Sequence, residues 1–280
     1  MALPKVGQSP AAYITKVTSS HNDWWFERYP NWCSPYAQIV QARNDAALSL
    51  MSGGDRLLDI GCGYGDMLSL AGDRYLEKHG IDPAPVMVDR ALANMRKHDL
   101  LNNCSIQEAG AESLPFESDT FDTITMLDVM EHVEPATRRA ALLEAYRVLK
   151  PNGELILATP SRYVIRFWNL VNNVLSIPER ILRRQPLRIW SLVSKGFTEE
   201  FLTRSELFSL VEDGQFEVDH FERVCFYPAP ETVGFLGPWL HYTYFIPYLH
   251  QTVRSMFKLI AKGRILNQKM LIRCRKQHTE

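Results

Sequence analysis

Leu58-Asp59-Ile60-Gly61-Cys62-Gly63-Tyr64-Gly65 is the stretch that decides the fold. Arg56 to Ile60 is a short apolar strand that runs directly into glycines at alternate positions. Glycine lets the backbone take unusual dihedrals and lets a ligand approach the chain closely. Gly65 to Ala71 then opens a helix. Moving outward, His79-Gly80-Ile81-Asp82 is a second strand, closing on an acid about 21 residues after Gly61. A carboxylate at that place accepts hydrogen bonds from both hydroxyls of a ribose. Strand, glycines, second strand and acid together predict a nucleoside-like ligand in the crevice past the strand ends of an α/β sheet.

Two other readings use the same glycines. One is a tight structural turn with a surface acid. The other is a dinucleotide site, which prefers G-x-G-x-x-G, whereas the spacing here is G-x-G-x-G. Asp66 stands where the third dinucleotide glycine would lie, and a carboxylate at a helix start repels a pyrophosphate. It suits a phosphate-free cofactor that presents an ammonium and a sulfonium.

The alternation continues downstream. Pro83 to Asp99 is a helix, with Pro83 suited to its first turn. Cys104 to Glu108 and Phe121 to Leu127 are strands three and four. Pro135 to Lys150 is a helix, Pro151-Asn152-Gly153 a turn, and Glu154 to Thr159 strand five. Phe197 to Asp213 reads as a helix with Thr198 as N-cap. Phe216 to Phe221 and Lys269 to Arg275 read as the last strands. Strands alternating with helices predict a Rossmann-like, mostly parallel, seven-stranded sheet with helices on both faces.

Bulk properties fit one such domain plus attachments. The chain has 280 residues, 46% hydrophobic and 22% charged, with a formal net charge of -1. The charge is unevenly distributed. Thr232 to Thr279 contains no Asp or Glu but many Lys and Arg, and Arg162 to Lys195 contains Glu179 as its one acid. Such asymmetry points to an anionic partner or surface. Cys33, Cys62, Cys104, Cys225 and Cys274 are scattered without a CxxC pair, which fits a reduced, cytoplasmic setting. Met1 to Ser20 has no apolar signal region, and no apolar run is long enough to span a bilayer.

The motif around Gly61 resembles the first motif of class I S-adenosylmethionine-dependent methyltransferases. Gly80-Ile81-Asp82-Pro83 is similar to their ribose-binding strand end. Ala109-Gly110-Ala111-Glu112-Ser113-Leu114-Pro115-Phe116 resembles their adenine motif. Leu127-Asp128-Val129-Met130-Glu131-His132-Val133 resembles the loop after strand four, and Arg147-Val148-Leu149-Lys150-Pro151-Asn152-Gly153 their R-x-L-K-P-G-G motif. The ubiquinone and menaquinone type small-molecule methyltransferases are the subgroup it resembles. The resemblance implies S-adenosylmethionine as cofactor. Gly61, Cys62 and Gly63 would line its methionine portion, with Asp59 supporting the loop and the amino group. Asp82 would take the ribose, Pro83 and Met87 would pack near the adenine, and Ala111 would offer its N–H to the base. Leu127 and Asp128 would flank the cofactor through backbone groups. Gly110 departs from the family, in which many members carry Asp there; the usual bond to the adenine amine is then either absent or supplied by Glu112.

Methyl transfer demands alignment of acceptor and methyl group, and a protic or acidic acceptor gains from a base. His132, beside the expected methyl, is the first candidate for that base; His21, His220, His241 and Tyr242 are lesser ones. Asp128, Glu131 and His132 also resemble a metal site of some quinone O-methyltransferases, but Asp replaces their Glu and a fourth ligand is not identified, so no metal is assigned. Arg28, in an aromatic lead-in at 21–28, is a candidate for the methionine carboxylate.

The expected organisation is an N-terminal aromatic cap at 1–45 and a cofactor-binding core at 46–160. A basic lid insertion follows at 161–195, and 196–280 completes the core around an amphipathic insertion at 227–263. Leu249 to Lys262 fits a helix with one apolar face and a basic face of His250, Arg254, Lys258 and Lys262. Residues 161–195 and 235–262 therefore suit contact with a membrane surface or a lipid-like substrate. The expected activity is methylation of a small, hydrophobic or lipid-like acceptor at O, N or C. The alternatives are a non-catalytic cofactor-binding scaffold, or a methyltransferase of RNA or protein; no RNA-binding module is recognisable.

Overall fold

A computed structural model describes residues 35–167, 200–224 and 269–276. The N-terminal aromatic segment with His21 and Arg28, most of the basic lid, Thr198, and the amphipathic insertion with His241 and Tyr242 lie outside the described residues. Among the described residues, no helix is long and apolar enough to cross a membrane.

Seven strands form one sheet: β1 Gly54–Ile60, β2 Tyr75–Asp82, β3 Cys104–Glu108, β4 Phe121–Leu127, β5 Leu149–Pro160, β6 Phe216–Val224 and β7 Lys269–Lys276. Their order is β3-β2-β1-β4-β5-β7-β6. β1 pairs in parallel with both β2 and β4, β2 with β3, and β4 with β5. β7 alone runs antiparallel, between β5 and β6. The chain leaves β1 to one side and returns at β4 on the other. That reversal opens a crevice at the carboxyl ends of β1 and β4, where doubly wound sheets bind ligands.

Successive strand residues point to opposite faces, so two apolar layers form. Leu58 and Ile60 pack with Ala141, Leu142 and Ala145 of α4 (Arg138–Val148) and Leu207 and Val211 of α5 (Arg204–Asp213). Leu57 packs on the other face with Ala47 of α1 (Pro35–Leu50), Leu68 of α2 (Asp66–Leu70), and Ala91 and Met95 of α3 (Pro85–Lys97).

Polar anchors fix the loops at the sheet ends. Asp122 accepts hydrogen bonds from the backbone N–H groups of Asp55 and Arg56 and is gripped by Lys150. Arg147 donates to the carbonyls of Leu114 and Phe116, and Glu144 accepts from Leu114 N–H. The 109–116 loop is thereby tied to α4 beside the crevice.

Several element boundaries depart from the sequence reading: β2 begins at Tyr75 rather than His79, β6 runs on to Val224, and α4 begins at Arg138 rather than Pro135; two larger departures have a visible cause. The Pro151-Asn152-Gly153 turn is absorbed into β5, which starts at Leu149; Asn152 takes φ 64°, and the register with β4 shifts between Phe121 and Thr123. A local bulge replaces a chain reversal. The last helix starts at Arg204 rather than Phe197. Leu202 bridges Ser161, which holds Leu202 itself outside the helix, and Thr203 is the N-cap. Thr203 Oγ1 accepts from Glu206 N–H, and Glu206 reaches back to Thr203 N–H. Thr203→Ala is expected to cost about 1 kcal/mol, read as a lowered urea midpoint with unchanged slope.

Candidate active site

The glycine loop leaves β1 in a left-handed conformation. Gly61 has φ 70°, and a Cβ there would lie 2.6 Å from Val129 Cγ2, so no larger residue fits without displacing the loop after β4. Gly63 has φ 53° with open space where its side chain would stand. The loop is held from below: Cys62 N–H donates to the Ile81 carbonyl at 2.9 Å, and the buried Cys62 side chain packs against Gly80. It is held from the side by α3, where Asn94 donates to the Tyr64 carbonyl and Arg90 to the Tyr64 hydroxyl.

Asp82 closes β2 against this loop. Its Oδ2 accepts from Gly63 N–H at 3.1 Å and its Oδ1 from Ala84 N–H at 2.9 Å. Burial raises its pKa despite both bonds. Pro83 is half-buried beside it and Met87 is fully buried at the start of α3.

Asp59 lies deeper, with Oδ1 accepting from Thr125 Oγ1 at 2.6 Å. Burial pushes its pKa to about 7, with Asp66 and Asp82 adding to the rise. Asp66, at the start of α2, is also raised by burial. Three carboxylates thus surround the loop, in surroundings poor in compensating charge.

The cation that faces them is Arg43, which the sequence reading did not single out. It is the one basic residue of α1, and that isolation on the helix entering β1 was the available signal. Its charge opposes the rise at both Asp59 and Asp66. Its Nη1 donates to Asp128 Oδ2 at 2.7 Å and to the Leu127 carbonyl at 3.4 Å.

Asp128 follows β4 in a left-handed conformation, φ 61°. Lys269, first residue of β7, donates to the same Oδ2 at 2.5 Å. Burial raises the Asp128 carboxyl, but Lys269 and Arg43 outweigh it and hold it below the usual range. Glu131 is buried, hydrogen-bonded by Thr159 Oγ1 at 3.1 Å, and pushed to about 7 by burial and by Asp128. His132 is exposed on the same loop, close enough for its charge to act on Asp82. Among the described residues, no three His, Cys, Asp or Glu side chains converge as metal ligands. Asp128 and Glu131 are engaged instead by Lys269, Arg43 and Thr159.

The 109–116 loop borders the other end of the crevice. Ala111 is buried. A Cβ on Gly110 would lie 2.7 Å from Glu112 Oε1, so the Glu112 carboxylate fills the space in which a side chain at 110 would begin. His220 lies on β6 at the far edge of the sheet, away from this crevice.

A doubly wound sheet, a left-handed glycine loop and an acid closing β2 define a nucleoside-binding α/β domain. Residues 57–153 match the methyltransferase domain family. That matched stretch carries a class I S-adenosylmethionine-dependent methyltransferase domain, whose cofactor is S-adenosylmethionine. It is 33% identical over 134 residues to an uncharacterized methyltransferase of Schizosaccharomyces pombe, covering 45% of this chain and 44% of that protein. It is 26% identical over 178 residues to the mitochondrial ubiquinone biosynthesis O-methyltransferase of the same yeast, covering 64% of this chain and 61% of that one. The matched stretch therefore spans less than two thirds of either relative's length. The fold is shared with a geranyl diphosphate methyltransferase solved with S-adenosylmethionine, at TM-score 0.54, 16% identity and coverage of 86% of both chains.

The residues present fit this cofactor. The space over Gly63 admits a ligand where a side chain would block it, and the carboxylates favour a cation over a phosphate. The unliganded protein pays for their burial. A raised carboxyl keeps its proton in the native state up to about 7, whereas the unfolded chain loses it near the ordinary 3.8. Stability from this group is therefore lost as pH rises across that window. Asp59→Asn is expected to flatten the fall in melting temperature between pH 5 and pH 8; parallel curves for the two proteins would refute the assignment.

Proposed function

We propose that the chain transfers the methyl group of S-adenosylmethionine to a small, hydrophobic or lipid-like acceptor. The observation that carries this reading is the Gly63 N–H to Asp82 contact beneath open space, ringed by Asp59 and Asp66. Curated relatives support the acceptor class by their names: a ubiquinone biosynthesis O-methyltransferase, a demethylmenaquinone methyltransferase and an erythromycin 3''-O-methyltransferase.

In this reading Asp82 retains lone pairs for the ribose hydroxyls after bonding Gly63 and Ala84. The backbone of Gly61, Cys62 and Gly63 and the carbonyl side of Leu127 and Asp128 line the methionine portion. Arg43 meets its carboxylate, a role first given to Arg28. Asp59 balances its ammonium. Pro83 and Met87 pack against the adenine, while Gly110 and Ala111 present backbone to its edge and Glu112 takes the adenine amine. Bound there, the cofactor supplies an electrophilic methyl on a cationic sulfur. His132, exposed beside Asp82, passes the acceptor's released proton to water. The basic aromatic stretches 161–195 and 235–262 bring the domain to a membrane surface or roof an apolar acceptor, by their composition.

Calorimetry of the whole chain with S-adenosylmethionine and its demethylated product tests the cofactor arm. Saturable heat with both is expected, and Glu112→Ala is expected to weaken both about equally; absence of heat with either compound overturns the reading. His132→Ala tests the proton arm. The expected result is kcat lower by about 100-fold or more with cofactor affinity unchanged. An unchanged kcat would remove His132 from the reaction.

A further inference from the structure

Asp128 carries more than its backbone can explain. Three segments far apart in sequence meet at its side chain: α1 through Arg43, the end of β4, and the start of β7 through Lys269. Both cations bond one oxygen, Oδ2. The other, Oδ1, is buried and has no hydrogen-bond partner. A buried acceptor left without a donor is destabilising, and more so when it is charged.

A second orphan lies nearby along the same rim. Ser161 Oγ, one residue past β5, is also buried without a partner. Lys269 pairs with Pro160, the neighbour of Ser161, and Asp128 N–H donates to the Ala158 carbonyl. The described residues contain three such side-chain atoms, and two of them sit at the carboxyl ends of β4 and β5. Unpaired polar atoms gathered at the ligand-binding rim of the sheet call for a ligand that pairs them.

Charge selects the ligand. Asp128 Oδ1 needs a donor, but Arg43 and Lys269 stand 2.7 and 2.5 Å from Oδ2 of the same carboxylate. An ammonium brought to Oδ1 meets two cations within a few ångströms. A neutral hydroxyl meets no such repulsion and is a stronger donor than the N–H of a neutral amine, while a carbon acid offers no comparable donor. We propose that the Asp128 carboxylate, clamped by Arg43 and Lys269, accepts a hydrogen bond from a hydroxyl of the methyl acceptor and so selects a hydroxyl-bearing substrate for O-methylation. This rests on the methyl-transfer reading above. Asp128 fixes the O–H direction, which leaves an oxygen lone pair free to be aligned on the methyl group. As that oxygen becomes an ether, the proton it gives up leaves through His132 to water, while Asp128 stays ionised between its two cations.

The test uses a matched pair of probes, 2-naphthol and 2-methoxynaphthalene, titrated by fluorescence into the full chain saturated with demethylated cofactor. Cofactor saturation is checked first by calorimetry. Failure there sinks the methyl-transfer reading itself, whereas the naphthol comparison sinks only this inference. The expected result is tighter binding of 2-naphthol by about tenfold or more, because its methyl ether leaves Oδ1 unpaired. Asp128→Asn is expected to erase that preference. Because that variant strands two buried cations, the double variant Asp128→Asn with Lys269→Met is made in parallel, retaining volume with less charge. It too is expected to bind both probes alike. Equal binding of the probes to the parent protein, including no binding of either, overturns the proposal. So does a preference for 2-naphthol that survives in the variants.

Discussion

Burial of carboxylates without enough protein cations is the constraint on which this structure turns. Asp59, Asp66 and Asp82 stand around one glycine loop, and burial raises all three. A fold that needed only a turn after β1 would gain by replacing them. Their retention makes sense if a bound cation repays the desolvation, because an opposite charge in a low-dielectric crevice acts far more strongly than in water. The backbone is arranged to the same end: Gly61 and Gly63 adopt positive φ, the first to pass beneath Val129, the second to leave room above it.

The rim of β4 and β5 has the opposite character. There Arg43 and Lys269 hold Asp128 ionised, while Glu131 a turn away is held toward its neutral form. Charge is thus sorted across the crevice, with uncompensated acids by the loop and a compensated pair by the rim. Arg43 belongs to both regions. A long guanidinium from the entering helix couples the field at the cofactor to the geometry at the acceptor, so the two halves of the site are not electrically independent.

Much of this was legible in the chain. The strand–glycine–strand–acid pattern follows from local rules, and each of the seven strands overlaps a segment the sequence marks as a strand. Boundaries slipped where tertiary contacts override local signals. Pro151-Asn152-Gly153 reads as a turn in isolation, yet β4 pairs with Leu149 before it and Glu154 after it, and the strand is carried across. Phe201 and Leu202 look helical, but the bridge to Ser161 draws them out of the helix. Arg43 and Lys269 escaped notice for another reason. Their partner Asp128 is 85 and 141 residues away, and no spacing rule connects segments that only the folded sheet brings together. The Glu112 carboxylate lies where a side chain at Gly110 would begin, two positions along the chain, a spacing short enough to be read from the sequence.

The central claim is that buried carboxylates await the cofactor's positive charge. It is tested most directly by the protons exchanged on binding, measured by calorimetry at pH 6.5 in buffers of differing ionisation enthalpy. The account predicts net proton release with S-adenosylmethionine, larger than with the uncharged-sulfur product, as the arriving sulfonium drives Asp59 to ionise. Net uptake, or identical proton counts for the two compounds, would contradict it.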